Sequence, residues 1–504
     1  MAMPSNFSPF FKICFFTLML ITLSACSSSD DDDGDNTGHI KFFNASPNSP
    51  GIFMTIDEEL DSEDDEEYES TFSAISYGNA GSRIELESDQ YYIELAWQDE
   101  DSSERSDLEI LFQDQIDIQD DNTYWVVMSG SVESPTVDIF TIADRDEDEI
   151  DEDADSDVSN LRLLNLHPDY SSVDVYFSDT DETFNEATLL NTATLSALGE
   201  NMKIAQDQYL IYLTAAGSDE VLFSSDDVSF SFNAQYVISL RENQGSGGAP
   251  FVIDVITNTS ITEYSSAESL AKITVFNGLN LNENDLTYNG AVDVVIEGVT
   301  DIPLIDALNY SEFSQSFQVD SGDYRFSVTN DDTQLAMLEN RLLSLSQNTN
   351  QSLFLYWTEE AVDEDGDGNV DENDDGIIDE IRPIVSSVLV DNSELQRLYD
   401  KQITLLNLVQ SDDFSTVAIY FVKSNEIIST TSNVRRLAQG VSSSITLLNN
   451  TYSVFAVAEI DGNEIILDEL TLTLDEDTED QFLLLEQDDD AGSGYVLTLF
   501  SQNN

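Results

Sequence analysis

The chain has 504 residues, and its 40% hydrophobic content, with 27 Phe and 19 Tyr, is enough to build several cores. Domains of about 100–200 residues each would make three or four of them. Acidic residues number 101 against 17 basic ones, a formal net charge of −84. Such a surface repels phosphate backbones and anionic lipid heads, so it argues against nucleic-acid partners and favours divalent cations and salty surroundings.

Residues 13–23 form a short apolar run after Lys12 that ends in Leu23-Ser24-Ala25-Cys26. The run is too short for a membrane-spanning helix, and its small residues before a cysteine are signal-peptide grammar. The ending resembles the bacterial lipoprotein box, which implies a signal over residues 1–25, cleavage before Cys26, and lipid on the Cys26 sulfur. The alternative is an ordinary secretory signal cut near Ala25. Ser27 in place of Asp resembles the signal that sorts lipoproteins to the outer membrane. The expected location is therefore the outer membrane or cell surface, anchored through Cys26. Cys14 and Cys26 are the two cysteines of the chain, so the exported form has no intramolecular disulfide and must be held by packing or metal. Residues 26–38 read as a Ser/Asp tether.

Beyond the tether a short apolar strand ending in Asn occurs four times, at Asn44, Asn165, Asn277 and Asn407. The spacings of 121, 112 and 130 residues are each about one small domain. An alternating strand follows each Asn: Ile52/Met54/Ile56, Val173/Val175/Phe177, Val292/Val294/Ile296 and Val417/Ile419/Phe421. Period-two alternation predicts one face in a core and one in water. Next come turns leading into Tyr91, Tyr209, Tyr324 and Tyr452, then penultimate strands at 124–128, 236–240, 353–357 and 482–485, and last strands at 137–142, 251–256, 384–390 and 495–500. Short strands with turn signals and almost no helical periodicity predict an all-β fold of four tandem immunoglobulin-like β-sandwich units joined by acidic linkers. The units are expected at 39–143, 160–257, 271–392 and 401–504. The acidic run at 144–159 is expected to be a solvated linker extended by self-repulsion, with shorter connectors at 258–270 and 391–400.

Asn44-Ala45-Ser46-Pro47-Asn48-Ser49-Pro50 and the stretch from Asn165-Leu166-His167-Pro168-Asp169 to Val173-Asp174-Val175-Tyr176 resemble the H-A-S-P-D-A-P-x-V-D-V-Y opening of the bacterial family called domain of unknown function 4397. Gly322-Asp323-Tyr324-Arg325-Phe326 loosely matches a later G-x-Y-x-V step of that family. Units three and four lack the S-P-D core, so there the resemblance rests on strand order. It implies exported β-domains and no particular chemistry.

The third unit carries a metal-loop pattern. Asp363, Asp365, Asp367, Asp371 and Asp374 occupy loop positions 1, 3, 5, 9 and 12, with Gly368 at the sharp turn and the Asn369 carbonyl at position 7. Ca²⁺ takes six to eight hard oxygens from a loop of this spacing. The pattern resembles the EF-hand loop with Asp for Glu at position 12. Strands flank it in place of helices, as in a clamped hairpin insert over 363–379. A partial second copy uses Asp371, Asn373, Asp375, Gly376 and Asp379, but its twelfth position is Arg382, which cannot ligate. In so acidic a chain the competing reading is a chance Asp/Gly loop.

Catalytic constellations are missing from the sequence. The two histidines, His39 and His167, have no triad partners in view, and neither a phosphate-cradling glycine loop nor H-E-x-x-H occurs. The expected function is a non-enzymatic, lipid-anchored envelope protein with a binding, adhesion or structural role, a calcium-stabilised loop, and a glycan or envelope protein as ligand. The alternative is a carbohydrate-active hydrolase using exposed carboxylates, since acids are too abundant here for any pair to be diagnostic. Ca²⁺ is expected to bind fragment 271–392 at about 10⁻⁴–10⁻³ M, as extracellular calcium modules do. Asp363→Ala with Asp367→Ala should remove both the heat of binding and the Ca²⁺-dependent rise in melting temperature. Equal binding by that double variant in calorimetry would reduce the motif to an acidic loop.

Overall fold

A computed structural model describes residues 36–59, 68–98, 108–281, 288–298, 305–362, 381–488 and 490–502. Cys26 and the whole predicted metal set (Asp363, Asp365, Asp367, Asn369, Asp371, Asp374) lie outside the described residues. The fold is all-β, and each of four units is a sandwich of two sheets.

In every unit the opening strand lies inside one sheet, parallel to the penultimate strand. The pairs are Thr37–Ala45 with Asn122–Ser129, Val158–Asn165 with Gln235–Glu242, Ala271–Asn277 with Asn350–Ala361, and Asp400–Asn407 with Gln481–Gln487. The last strand returns antiparallel beside the penultimate one. In the facing sheet the second strand pairs with the Tyr-led strand, as Phe53–Asp57 does with Gln90–Trp97 and its counterparts do in the other units.

Two hydrogen-bond devices recur in all four units and explain the repeated Asn and Tyr. The side-chain oxygens of Asn44, Asn165, Asn277 and Asn407 each accept from the backbone N–H two residues on, at 3.0 Å. Each Asn is buried, and its own carbonyl accepts from Gly78, Ser196, Ser311 or Gly440. Those four residues share a positive φ of 52–74°, which turns the chain so that its N–H meets the strand end. The tyrosine hydroxyls donate to the carbonyl four residues upstream: Tyr91 to Glu87 and Tyr209 to Ala205 at 3.2 Å, Tyr324 to Asp320 at 2.7 Å, and Tyr452 to Leu448 at 2.8 Å. This is the tyrosine corner of immunoglobulin-like sandwiches.

The opening strands are buried on both faces, and the face of the second strands expected in water is also largely covered, at Thr55, Asp57, Asp174, Asp293, Ala418 and Tyr420. Phe42, Leu163, Val275 and Leu405 enter the cores of their own units. Their neighbours Phe43 and Leu164 meet in a separate buried cluster with Trp125, Val127, Val237 and Ile256. Phe276 and Leu406 do the same with Phe354, Tyr356, Phe482 and Leu484. Unit one therefore packs back to back on unit two, and unit three on unit four, sheet against sheet. In the second interface Phe354 lies edge-on to Phe482 with ring centroids 5.0 Å apart, and Phe276 lies edge-on to Phe500 at 5.3 Å.

The acidic run is not an extended linker. Asp144 is bound to unit one through Thr123 (2.7 Å) and Arg83, and Glu147–Asp155 is an α-helix. Asp146 caps the helix by accepting from Glu149 N, and acids in a first turn favour the helix dipole. Buried Asp153 is held by Lys203 at 2.5 Å and lies 3.5 Å from Arg145. Self-repulsion loses because basic groups on both sides neutralise the helix locally. The 258–270 connector is also partly structured: Ile261–Tyr264 adds an edge strand beside Phe251–Ile256.

Further contacts join the pairs. Asn243 and Asn348 exchange amide hydrogen bonds at 2.9 and 2.8 Å between units two and three. A Cβ on Gly245 would lie 2.5 Å from Asn348, so the close approach requires glycine. The connector into unit four folds back onto unit one, where Tyr399 stacks on Trp97 with centroids 4.4 Å apart.

Tyr452 is fully buried, so Tyr452→Phe should cost about 1–3 kcal/mol, the range for leaving a buried hydrogen-bonding group without its partner. Urea unfolding should show a lower midpoint at unchanged slope. An unchanged midpoint would mean that the corner is ornamental.

Candidate functional site

The junction of units one and two holds the most heavily buried charge group among the described residues. Arg241 follows the apolar core of its strand, and its Nη2 bonds Asp254 at 2.7 Å and Glu263 at 2.6 Å while Nε bonds Asp254 at 2.5 Å. Arg241 and Asp254 are 2% and 0% exposed. The guanidinium also lies over the Tyr77 ring of unit one, 4.6 Å from its centroid. Burial opposes the charge on Arg241, but the Asp254 carboxylate overrides it and holds the pKa above the ordinary value. Burial pushes the Tyr77 phenol up to about 12. The group acts as a weld between units: removing one partner of such a pair strands the other charge.

Beside this weld is a cleft of about 620 Å³, walled by the loops that follow Asn44 and Asn165 and by residues of the 391–400 connector. The volume falls in the range of small-molecule sites. Lys41 closes the interface on another side, donating to the carbonyls of Thr257 (2.5 Å) and Asn258 (3.2 Å), and burial lowers its pKa to about 8.

A second charged group sits where the connector enters unit four. Asp400, Lys401 and Asp480 are buried, and Arg397 lies 3.6 Å from each of the two carboxylates. Asp400 Oδ1 and Asp480 Oδ2 have no hydrogen-bond partner among the described residues. Burial raises the Asp400 pKa to about 6; Asp480 adds to the rise while Arg397 and Lys401 oppose it.

The histidines have structural roles. His167 is buried, its Nε2 meets the Pro250 carbonyl at 3.1 Å, its Nδ1 accepts from Asp169 N at 3.2 Å, and burial lowers its pKa. His39 lies against Asp144 and Arg83. A grouping the sequence did not suggest is Asp293, Asp306 and Asp331, each with an oxygen within 4.8 Å of the others. Asp293 already accepts from Ala307 N and Gln334 Nε2, both at 2.9 Å. The sequence reading also missed the Arg241 weld. The available signal was a basic residue closing an apolar strand in a chain with few basic residues.

Residues 38–176 match the family model described as "Domain of unknown function (DUF4397)". Over that stretch the chain is similar to the DUF4397 family. The match runs from the opening strand of unit one into the second strand of unit two, Ser172–Asp179. A search of curated proteins gives no match. Among solved structures, the Bacillus anthracis TIE protein aligns at 10% identity over 91% of this chain and 76% of that one, with a TM-score of 0.15. A putative adhesin from Bacteroides ovatus aligns at 11% identity over 47% of this chain and 98% of that one, with a TM-score of 0.13. The multi-modular glycogen-degrading pneumococcal virulence factor SpuA aligns at 9% identity over 61% and 37% of the two chains, also at 0.13. Scores this low carry no argument about this protein.

Asp400 predicts a pH dependence of defined sign. Its folded pKa of about 6 lies above the unfolded carboxyl value of about 3.9. The folded state thus holds the proton more tightly, and the group's contribution is fully present below pH 4 and lost as pH rises through 6. Two pKa units correspond to about 3 kcal/mol. Asp400→Asn should therefore gain melting temperature relative to the parent between pH 4 and pH 7, and a constant difference across that range would contradict the buried, strained carboxylate.

Proposed function

We propose that this protein is a lipid-anchored component of the bacterial cell envelope whose β-sandwich body serves binding, adhesion or envelope architecture, not catalysis. The observation that supports this best is the double-sided burial of the opening strands, which ties sandwich units into larger bodies in a way suited to display at a surface. Basic side chains at the unit junctions are engaged with acids or carbonyls, and both histidines are held by neighbours. The lipid would sit on Cys26 and the body would stand off the membrane on the tether, which is shorter than expected because the first strand already begins at Thr37. Ca²⁺ bound by Asp363, Asp365, Asp367, Asn369, Asp371 and Asp374 would order the tip of the long hairpin of unit three, whose strands run to Ala361 and restart at Ile381. Glu360 and Arg382 bond across its base at 2.6 Å.

Stable anchoring requires more than one acyl chain at about 0.8 kcal/mol per buried CH₂, and bacterial lipoproteins carry three, attached through one cysteine. Cys26→Ser should therefore release the protein to the soluble fraction, while the parent stays in the membrane pellet through a salt wash and leaves it in detergent. A Cys26→Ser protein still in the salt-washed pellet would refute the anchor. Release of product from neutral or acidic polysaccharides by the purified protein would refute the non-enzymatic reading.

A further inference from the structure

The 620 Å³ cleft lies between equivalent parts of units one and two. Ala45 and Leu166 both follow the buried Asn of their opening strands, and Pro47 and Pro168 sit two residues further on; all four line the cleft. Tyr77 and Leu195, each just before the positive-φ residue that donates to that Asn, line it as well. The parallel register places Ser129 beside Ala45 and Arg241 one step past the Asn165–Leu240 pair, and both of these also face the cleft.

The pair formed by units three and four has the same place in its fold. Gly278 and Leu408, Asn280 and Gln410, and Tyr310 occupy the corresponding positions and line a hollow there, but its volume is about 80 Å³. Bulk and internal bonding account for the difference. Trp357 stands where unit one has Gly130, and its Nε1 donates to the Asn280 carbonyl at 2.9 Å. Gln439, the counterpart of Tyr77, donates to the Trp357 carbonyl at 2.8 Å. The Tyr356 hydroxyl lies so close to Gly440 that a Cβ there would be 2.0 Å away. In the first pair Arg241 holds the Tyr356 position and lies against Tyr77 and Gly78, but the Trp357 position of unit one is Gly130, where a Cβ would meet nothing within 4 Å.

The lining gives the chemistry of an occupant. In a chain of net charge −84, the acid in this cleft's wall is Glu242, and the base, Arg241, is already neutralised by Asp254 and Glu263. The remaining polar side chains are amides and hydroxyls, including Gln244 and Gln396. Amides and hydroxyls offer donors and acceptors together, the complement of sugar hydroxyls. Pro47, Pro168, Leu166 and Leu398 add apolar wall for the faces of pyranose rings. A peptide recognised through its main chain would need an open strand edge, whereas these walls are largely strand ends and turns.

We infer that the cleft between units one and two is a binding site for a short neutral oligosaccharide, and that its counterpart between units three and four is the same site closed by Trp357, Tyr356 and Gln439. This rests on the binding role proposed above and narrows it to one site and one ligand class.

The test uses the detergent-solubilised full-length protein and saturation-transfer NMR. Probes are neutral di- to tetrasaccharides of glucose, galactose, mannose and N-acetylglucosamine, their sulfated or sialylated counterparts, and a set of tripeptides. At least one neutral saccharide series should bind. Ser131→Trp, which places a ring in the cleft mouth, should abolish that binding, and Gln244→Ala with Gln396→Ala should weaken it about tenfold or more. Both proteins should keep the parent melting temperature. Neutral-saccharide binding that survives Ser131→Trp would overturn the cleft while leaving a binding function intact. Preference for the charged saccharides or the tripeptides, or no binding by any probe, would overturn the ligand class. Cleavage of a bound saccharide during the measurement would overturn the non-enzymatic reading and leave the cleft standing.

Discussion

The architecture depends on opening strands that are buried on both faces. Successive residues such as Phe42 and Phe43, or Val275 and Phe276, point into different hydrophobic clusters, one inside the unit and one between units. Full burial of an apolar side chain is worth about 1.5–3 kcal/mol, so each strand residue facing a neighbouring unit adds to the cohesion of a pair as much as its neighbour adds to a single sandwich. A solitary unit would leave its Phe43 or Phe276 face in water as an adhesive patch.

That demand explains the repeated polar devices. A strand with two apolar faces has weak register, because a slip by one residue still buries hydrophobic groups. The Asn at each strand end can bond its neighbour's N–H and the positive-φ turn in one register only, and the Tyr corner fixes the facing sheet in the same way. Satisfied buried polar groups of this kind add specificity more than net stability.

The charge distribution follows a related logic. With few basic residues available, the chain places several at junctions: Lys41 between units one and two, Lys203 and Arg145 around the helix, Arg241 beneath Tyr77, and Arg397 and Lys401 at the entry to unit four. Elsewhere acids cover the surface and keep it from associating with its own kind. The joints are where self-repulsion would otherwise pry units apart, and they are where it is cancelled.

Alternation in Val173/Val175/Phe177 and its counterparts, the recurring Asn and Tyr, and the turn residues between them were legible as four sandwiches because strand formation and turn geometry are local properties of consecutive residues. The family resemblance likewise rested on a contiguous run from Asn44 to Pro50 and from Asn165 to Tyr176. What the sequence could not convey was the destination of the second face of each opening strand, since Phe43 and Leu164 read the same in a core as in an interface. The helix at Glu147–Asp155 went unread for a similar reason: a run of acids predicts repulsion until Lys203, about fifty residues away, is brought against Asp153. The Arg241–Asp254 weld and the contrast between one open and one closed cleft are decided by side chains from separate units. Composition and periodicity carry local preferences, and only the packed chain determines which of those preferences meet.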